Sequence, residues 1–312
     1  MADILITHAE NFSPEARKVL EQQHRVFPCH GPLPTGAGEG FADVIWVRLE
    51  RIEPSDLRFM PRLKVLATNC TDVSHLPLEE CARRNIRVVS LQDCREEMPS
   101  VHSTAEHTVG LMLALLRQIP AAVESVKKNV WSEGLELVPD WDRWQFVGRE
   151  LRGKRVAIIG AGRVGKQVND ILHAWGCPIT WYDPPKFGDA SIQPSLEWAD
   201  IVTVHTSLND SSRGMFNAER FAQMKPGAYF VNTARGAIVD EGALLAVLES
   251  GHLAGAALDV VCDEPNVNPA LVEFARREPS RLLISPHIAG ATVEGLWATE
   301  LMIARKLVEV LR

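Results

Sequence analysis

The chain has 312 residues, a formal net charge of -7, and 46% hydrophobic and 23% charged residues, proportions of a globular protein large enough for two cores. The acidic balance gives no footing for nucleic acid or an anionic membrane surface, and no apolar run is long enough to span a bilayer. The opening Met-Ala-Asp-Ile-Leu-Ile-Thr lacks the basic start of a leader, and six cysteines without a C-x-x-C pair read as reduced thiols of a cytoplasmic protein.

Strand-like runs alternate with helical patterns from the start. Strands are predicted at Asp3 to Thr7, Val44 to Val47, Val65 to Ala67 and Arg87 to Ser90. Arg48, just past the second, reads as a solvated charge, with reach toward a distal anionic group as the other reading. Ser103-Thr-Ala-Glu106 fits a capping box with Ser103 at the N-cap. The following Val109 to Leu116 is apolar nearly all round, so its helix should be buried on several sides, in a domain seam or a subunit interface. The polar stretch from Glu133 to Arg149, with Trp141 and Trp144 in it and Trp131 just before, reads equally as an arm packing on a neighbouring subunit or as a surface loop.

From Lys154 the alternation is regular, with strands predicted at Arg155 to Ile159, Ile179 to Tyr182, Ile201 to His205, Ala228 to Asn232, Ala256 to Asp259 and Leu282 to Ser285. Strands alternating with helices in this way imply a doubly wound parallel sheet. The first strand runs into Gly160-Ala-Gly162-Arg-Val-Gly165, a G-x-G-x-x-G run opening a helix. The first glycine serves a tight turn, the second lets the backbone approach a pyrophosphate, and the third lets the helix pack on the strand. The helix N-terminus then attracts the phosphate charge. Asp183 closes the next strand, where a carboxylate can accept from ribose hydroxyls and repel a 2′-phosphate. Pro184 and Pro185 follow it, and Lys186 is the nearest cation. The reading is NAD (NADH) in preference to NADP.

The last pattern, Thr292 to Leu311, is a helix with no domain of its own. The chain is therefore expected to form a discontinuous substrate domain, residues 1–99 with 290–312. Into it is inserted a Rossmann coenzyme domain, residues 100–289, with a hinge and a cleft between the lobes. The smaller domain should be a flavodoxin-like α/β unit.

Three strand ends in the second half carry unusual residues: Arg235 before Gly236, Glu264 before Pro265, and His287 after Pro286. In open α/β sheets such ends are where ligands bind. A guanidinium can clamp the carboxylate of a 2-oxo acid and polarise its carbonyl. A histidine can donate a proton to the carbonyl oxygen, and a carboxylate beside it can orient the ring. Singly, each residue also has a plain reading as a surface charge, a turn residue or a packed histidine. No H-E-x-x-H or clustered Cys/His spacing suggests a metal.

Asn232-Thr-Ala-Arg235-Gly, with Asp240-Glu241 beyond it, Leu258-Asp259 with Glu264-Pro265, and Pro286-His287-Ile-Ala-Gly290 resemble the signatures of the D-isomer-specific 2-hydroxyacid dehydrogenases, over about residues 62 to 300. The resemblance implies catalytic Arg235, Glu264 and His287, and a homodimer built largely through the coenzyme domains. It also implies coenzyme contacts from Thr104, Arg163, Val164, His205, Thr206, Thr233, Ala234, Asp259 and Gly290, with Asp259 and His287 at the nicotinamide. Arg235 and His287 would also hold the substrate, a small 2-oxo or 2-hydroxy acid.

The family's substrate loop corresponds to Ala67-Thr-Asn69-Cys70-Thr-Asp72, with Asn69 where glyoxylate and hydroxypyruvate reductases have Gly and Cys70 where they have an aromatic. Asn tolerates positive φ better than most residues, so the loop's turn is expected to survive. Ala105-Glu106-His107-Thr108 leans toward that reductase branch. Glu264 stands where the formate dehydrogenases of the superfamily have Gln. Two other readings of the same fold are an NAD-responsive, corepressor-like binding protein and a dehydrogenase of an inorganic oxyanion such as phosphite.

Overall fold

The computed structural model describes residues 1–33, 40–73, 75–96, 101–131, 143–188 and 191–312. They divide into two compact units, Met1–Val101 with Ala291–Arg312, and His102–Gly290.

In the first unit the chain runs β1 (Asp3–Ile6), α1 (Pro14–Glu21), β2 (Arg25–Pro28), β3 (Val44–Val47), β4 (Val65–Thr68), α2 (Leu78–Arg83) and β5 (Arg87–Val89). The strands lie in the order β2-β1-β3-β4-β5, all parallel, the doubly wound order of flavodoxin-like sheets. Alternation sends Ile4, Ile6, Val44 and Trp46 to one core, and Leu5, Ile45, Val47 and Leu66 to the other. The edge strand β2 has no counterpart among the predicted strands. It is short, ends in proline and is exposed at three of its four residues, so it carries no buried stripe to read.

Helix α1 begins at Pro14, whose fixed φ suits a first helical position, with the Ser13 hydroxyl accepting from Ala16 N. The long C-terminal helix belongs to this unit and packs on α1. It spans Val293–Val310, capped by the Thr292 hydroxyl, which accepts from Gly295 N at 2.9 Å. Its Ile303, Ala304 and Leu307 complete the core around Ile4 and Trp46.

The second unit opens with α3 (Ser103–Leu116) and α4 (Ile119–Trp131), then β6 (Val156–Ile159), α5 (Arg163–Ala174), β7 (Ile179–Tyr182), α6 (Pro184–Phe187), α7 (Gln193–Trp198) and β8 (Ile201–Val204). It continues through α8 (Ala218–Ala222), β9 (Tyr229–Asn232), α9 (Glu241–Glu249), β10 (Gly255–Leu258), α10 (Pro269–Arg277) and β11 (Leu282–Ile284); the C-terminal helix of the first unit is α11. The six strands are parallel in the order β11-β10-β9-β8-β6-β7. Val156 and Ile158 face the layer of α3 and α5, whereas Ala157 and Ile159 face the layer that holds Leu196, Phe221 and Leu244. Burial on both faces explains why these strands read as continuous apolar runs.

One local expectation is corrected. Ser103 is the first residue of α3 and not its cap; the cap position is His102, whose carbonyl accepts from both Ala105 N and Glu106 N. That carbonyl engages the amides of the first turn, and the capping box does not form. The apolar α3 is buried on several sides, as expected: Val109, Met112, Leu115 and Leu116 lie in a core shared with α5 and the sheet. Of the tryptophan-bearing stretch, residues 132–142, Trp141 among them, lie outside the described residues, and Trp144 is 74% exposed in a single 3-10 turn. Among the described residues no single helix is long and apolar enough to cross a membrane.

Candidate active site

The β order of the second sheet reverses direction between β6 and β8, and such a switch point opens a crevice at the carboxyl ends of the strands. Gly160 stands there, at φ +106, and a Cβ on it would lie 2.6 Å from His205 C and Thr206 N. The turn after β6 therefore touches the turn after β8, which only glycine permits. Gly162 is the N-cap of α5 and has no side chain to cap its amides, and Gly165 is buried in the first turn. A Cβ on Gly162 would meet the neighbouring turn only at His205 O, 4.0 Å away.

The Asp183 carboxylate, beyond β7, accepts from Ala161 N at 2.6 Å. Lys186 donates to Ala161 O, so the nearest cation is engaged with the glycine turn itself. Arg163 donates to Gln167 at 3.2 Å, and burial pushes its guanidinium below its ordinary value. Burial pushes the His205 imidazole down to about 3, so the ring is neutral near pH 7. One of its nitrogens meets the Thr203 hydroxyl at 3.0 Å. Thr108 of α3 donates to Thr104 O at 2.7 Å, which makes Thr233 the donor in the 2.9 Å contact between the two hydroxyls.

Strands β9, β10 and β11 are neighbours in register, with Asn232 beside Leu258 and Leu258 beside Ile284. Arg235, Asp259, Glu264 and His287 thus leave three adjacent strand ends. The Arg235 loop is fixed by Asn232, which accepts from Ala234 N and donates to Arg235 O, both at 3.0 Å. Its guanidinium donates to Ala234 O at 2.6 Å.

Gly236 was not among the residues singled out by chemistry, yet it brings two of these loops together. A Cβ there would stand 1.9 Å from Val261 O and 2.5 Å from Cys262 N, so the Arg235 loop lies flush against the loop of Glu264. Gly236→Ala is expected to separate them and to lower the midpoint of thermal unfolding by several degrees, for an overpacking cost of ~1–3 kcal/mol. A thermal melt checks this, and a wild-type midpoint would refute it.

His287 and Glu264 form the central pair. His287 Nδ1 lies 2.6 Å from Glu264 Oε2, and Glu264 Oε1 accepts from Val261 N at 3.0 Å. Carboxylate oxygens only accept, so the shared proton sits on Nδ1 and the second ring nitrogen, Nε2, is left for a reacting group. The side chains are 31% and 34% exposed, accessible to a small molecule. His287 has φ +53, a left-handed backbone that is unusual for a non-glycine residue. Its amide donates to Asp259 O at 2.8 Å and to Ser285 O at 3.0 Å.

Asp259 is 1% exposed. Burial alone would raise its carboxyl, but hydrogen bonds from His107, Ser285, Ala289 N and Ile288 N outweigh that and hold it below the ordinary range. Gly290 follows, with open space around it.

In the first unit, Asn69 and Cys70 follow β4. Asn69 does not adopt positive φ. It is 8% exposed; its amide reaches the Thr299 hydroxyl at 3.4 Å, and its buried Oδ1 has no hydrogen-bond partner among the described residues. Cys70 Sγ and the Thr68 hydroxyl both donate to Arg48 O, at 3.4 and 2.9 Å. Arg48 itself is not a solvated charge. Its guanidinium pairs at 2.6 Å with Glu300 of α11, a carboxylate with no exposure, which also accepts from Ser13 N at 2.7 Å. Only α11, from far along the chain, supplies this partner. Burial keeps the Glu300 carboxyl above its ordinary value despite both contacts.

A glycine turn at the switch point of a doubly wound sheet, with a carboxylate at the end of the next strand, defines a Rossmann-type dinucleotide-binding unit. Residues 109–289 match the model of the D-isomer specific 2-hydroxyacid dehydrogenase NAD binding domain. The chain belongs to that family. It is 36% identical over 275 residues to D-3-phosphoglycerate dehydrogenase of Rattus norvegicus, covering 85% of this chain and 46% of the relative. It is 32% identical over 274 residues to glyoxylate reductase of Thermofilum pendens, covering 84% and 76%. The chain thus spans about half the length of the phosphoglycerate dehydrogenases it matches. Among solved structures it resembles D-lactate dehydrogenase of Aquifex aeolicus complexed with NAD and lactic acid, with a TM-score of 0.77, 25% identity and coverage of 99% and 95%. A Thermus thermophilus protein superposes with a TM-score of 0.80 at 28% identity, covering 99% and 96%.

Proposed function

We propose that the chain is an NAD-dependent D-2-hydroxyacid dehydrogenase that interconverts a small 2-oxo acid and its D-2-hydroxy acid. The observation that carries this reading is the 2.6 Å His287–Glu264 pair on a strand end adjacent to that of Arg235. Residues 102–290 serve as the coenzyme domain, and the unit closed by α11 as the substrate domain.

The glycine turn and the α5 amides fit a pyrophosphate, and Asp183 fits the ribose hydroxyls. Arg163, Val164, His205, Thr206, Thr233, Ala234 and Asp259 belong to the same coenzyme site, with Thr104 and Gly290 at its margin. When bound, NADH supplies the hydride that reduces the substrate at C2. Arg235 pairs with the substrate carboxylate through its planar fork. His287 gives its Nε2 proton to the carbonyl oxygen, so that the C=O becomes CH–OH, and later regains a proton from water. Glu264 orients the ring by accepting from Nδ1. Asn69 and Cys70 contribute to substrate selection.

Asp183→Ser is expected to weaken NADH binding ~10-fold and to narrow the preference for NADH over NADPH by a similar factor, because the carboxylate both accepts from ribose and repels phosphate. Titration with each coenzyme measures it; an unchanged ratio of affinities would remove Asp183 from the reading.

The protein is read as a cytoplasmic homodimer. Helix α4 carries exposed Ile119, Val123 and Val126, at 47%, 47% and 43%, an apolar stripe at helical spacing suited to a second copy. No nucleic acid or membrane partner is invoked.

The deciding experiment is a panel of glyoxylate, pyruvate, hydroxypyruvate and phosphohydroxypyruvate with NADH, and phosphite with NAD, followed at the nicotinamide absorbance. Turnover of at least one 2-oxo acid is expected. Tight coenzyme binding with no turnover would favour the corepressor-like reading, and turnover of phosphite alone the oxyanion reading.

A further inference from the structure

His107 lies on α3, away from the signature residues in sequence, yet it reaches the buried end of the same loops. Its Nε2 is 3.2 Å from Ser285 Oγ and 3.2 Å from Asp259 Oδ1. Ser285 Oγ in turn donates to Asp259 Oδ1 at 2.6 Å. The serine proton is therefore committed to the carboxylate, and both atoms facing His107 are acceptors. Nε2 must carry a proton, whether the ring is neutral or charged.

The carboxylate so held organises the backbone that follows the proton donor. Asp259 Oδ1 accepts from Ile288 N at 2.9 Å, and Oδ2 from Ala289 N at 2.8 Å. The carbonyl of the same residue accepts from His287 N. The left-handed turn at His287 is thus bolted to one aspartate on the neighbouring strand, and such a turn persists only where its surroundings over-determine it. Each carboxylate oxygen offers about two acceptor sites. Oδ1 serves Ser285, Ile288 and His107, whereas among the described residues Oδ2 serves Ala289 alone, so the spare acceptor capacity lies on Oδ2.

We propose that His107 is a positioning residue for the reaction: its Nε2–H, shared between Asp259 and Ser285, fixes the carboxylate that holds the His287 turn. The inference rests on the coenzyme and proton-donor roles proposed above. His107 acts through Asp259, as outer-shell partners of functional ligands do.

The test compares His107→Leu, which removes the donor, with His107→Gln, whose terminal amide can take the place of Nε2. NADH affinity is measured by fluorescence titration, and kcat and KM with the best 2-oxo acid of the panel. His107→Leu should lower kcat ~10–100-fold and weaken NADH binding several-fold, with the substrate KM little changed. His107→Gln should recover most of both losses. A packing role alone predicts the opposite pattern, with the apolar Leu tolerated and no rescue by Gln. If the Leu variant fails to fold, His107→Asn, whose amide is too short to reach, replaces it.

Equal kcat and equal NADH affinity in the donor-bearing and donor-lacking variants would overturn the proposal. A wild-type protein that binds NADH but reduces no 2-oxo acid would overturn the enzymatic reading alone. His107 would then be judged on the affinity measurement. Failure to bind NADH at all would overturn both.

Discussion

His287→Gln should lower kcat for 2-oxo acid reduction by ~10²–10⁴-fold, the range contributed by a positioned proton donor. Glutamine can still donate a hydrogen bond to Glu264, 2.6 Å from the present Nδ1, but its amide cannot release a proton to a developing alkoxide. The backbone at this position is left-handed in either variant, and a non-glycine residue already accepts it, so the change adds little strain. NADH affinity should stay within ~3-fold, since the loss falls on the transition state and not on ground-state binding. Single-turnover rates at saturating NADH, set beside a coenzyme titration, separate the two. Turnover within tenfold of wild type would mean that the proton comes from elsewhere.

Arg235→Lys should cost ~10²–10³-fold in kcat/KM, through the loss of a two-pronged pairing with the substrate carboxylate. A lysine keeps the positive charge, but its three N–H donors radiate from one nitrogen and do not match both carboxylate oxygens as the planar guanidinium fork does. The present guanidinium also reaches the Ala234 carbonyl at 2.6 Å. Much of the loss should appear in KM, because the carboxylate is held in ground state and transition state alike. The Asn232 bonds to the loop backbone are made by main-chain atoms of Ala234 and Arg235 and survive the substitution, so coenzyme affinity and the melting temperature serve as controls. Unchanged kcat/KM would remove Arg235 from the substrate site.

The sequence made the parallel sheets legible because their strands are buried on both faces and stand out as apolar runs. The glycine turn was legible because it sits between a strand and a helix. Strand β2 escaped because an exposed edge leaves no pattern of burial. Ser103 misled because a Ser-x-x-Glu run marks a helix start only to within a residue, and the His102 carbonyl had already engaged the amides in question. Of the candidate site, the residue types at the strand ends could be named but not their pairing. His287 and Glu264 are 23 positions apart, and nothing in that interval says which carboxylate meets the ring. His107, Ser285 and Gly236 were harder still. Their place is set by the approach of separate loops and helices, which local spacing does not encode. Arg48 was misjudged for the same reason, since its partner Glu300 comes from α11, 252 positions away.

That distant helix has a consequence for the order in which the molecule is made. The second unit is contiguous, so a nascent chain that has reached residue 290 already holds every strand of its sheet. The first unit, although its strands emerge earlier, waits for α11: Ile4 and Trp46 are covered by Ile303 and Leu307, and Ser13 is tied to Glu300 across 287 positions. Loop closure over such a span is slow and leaves an apolar face uncovered meanwhile. During synthesis the earlier-made unit is therefore the later one to close.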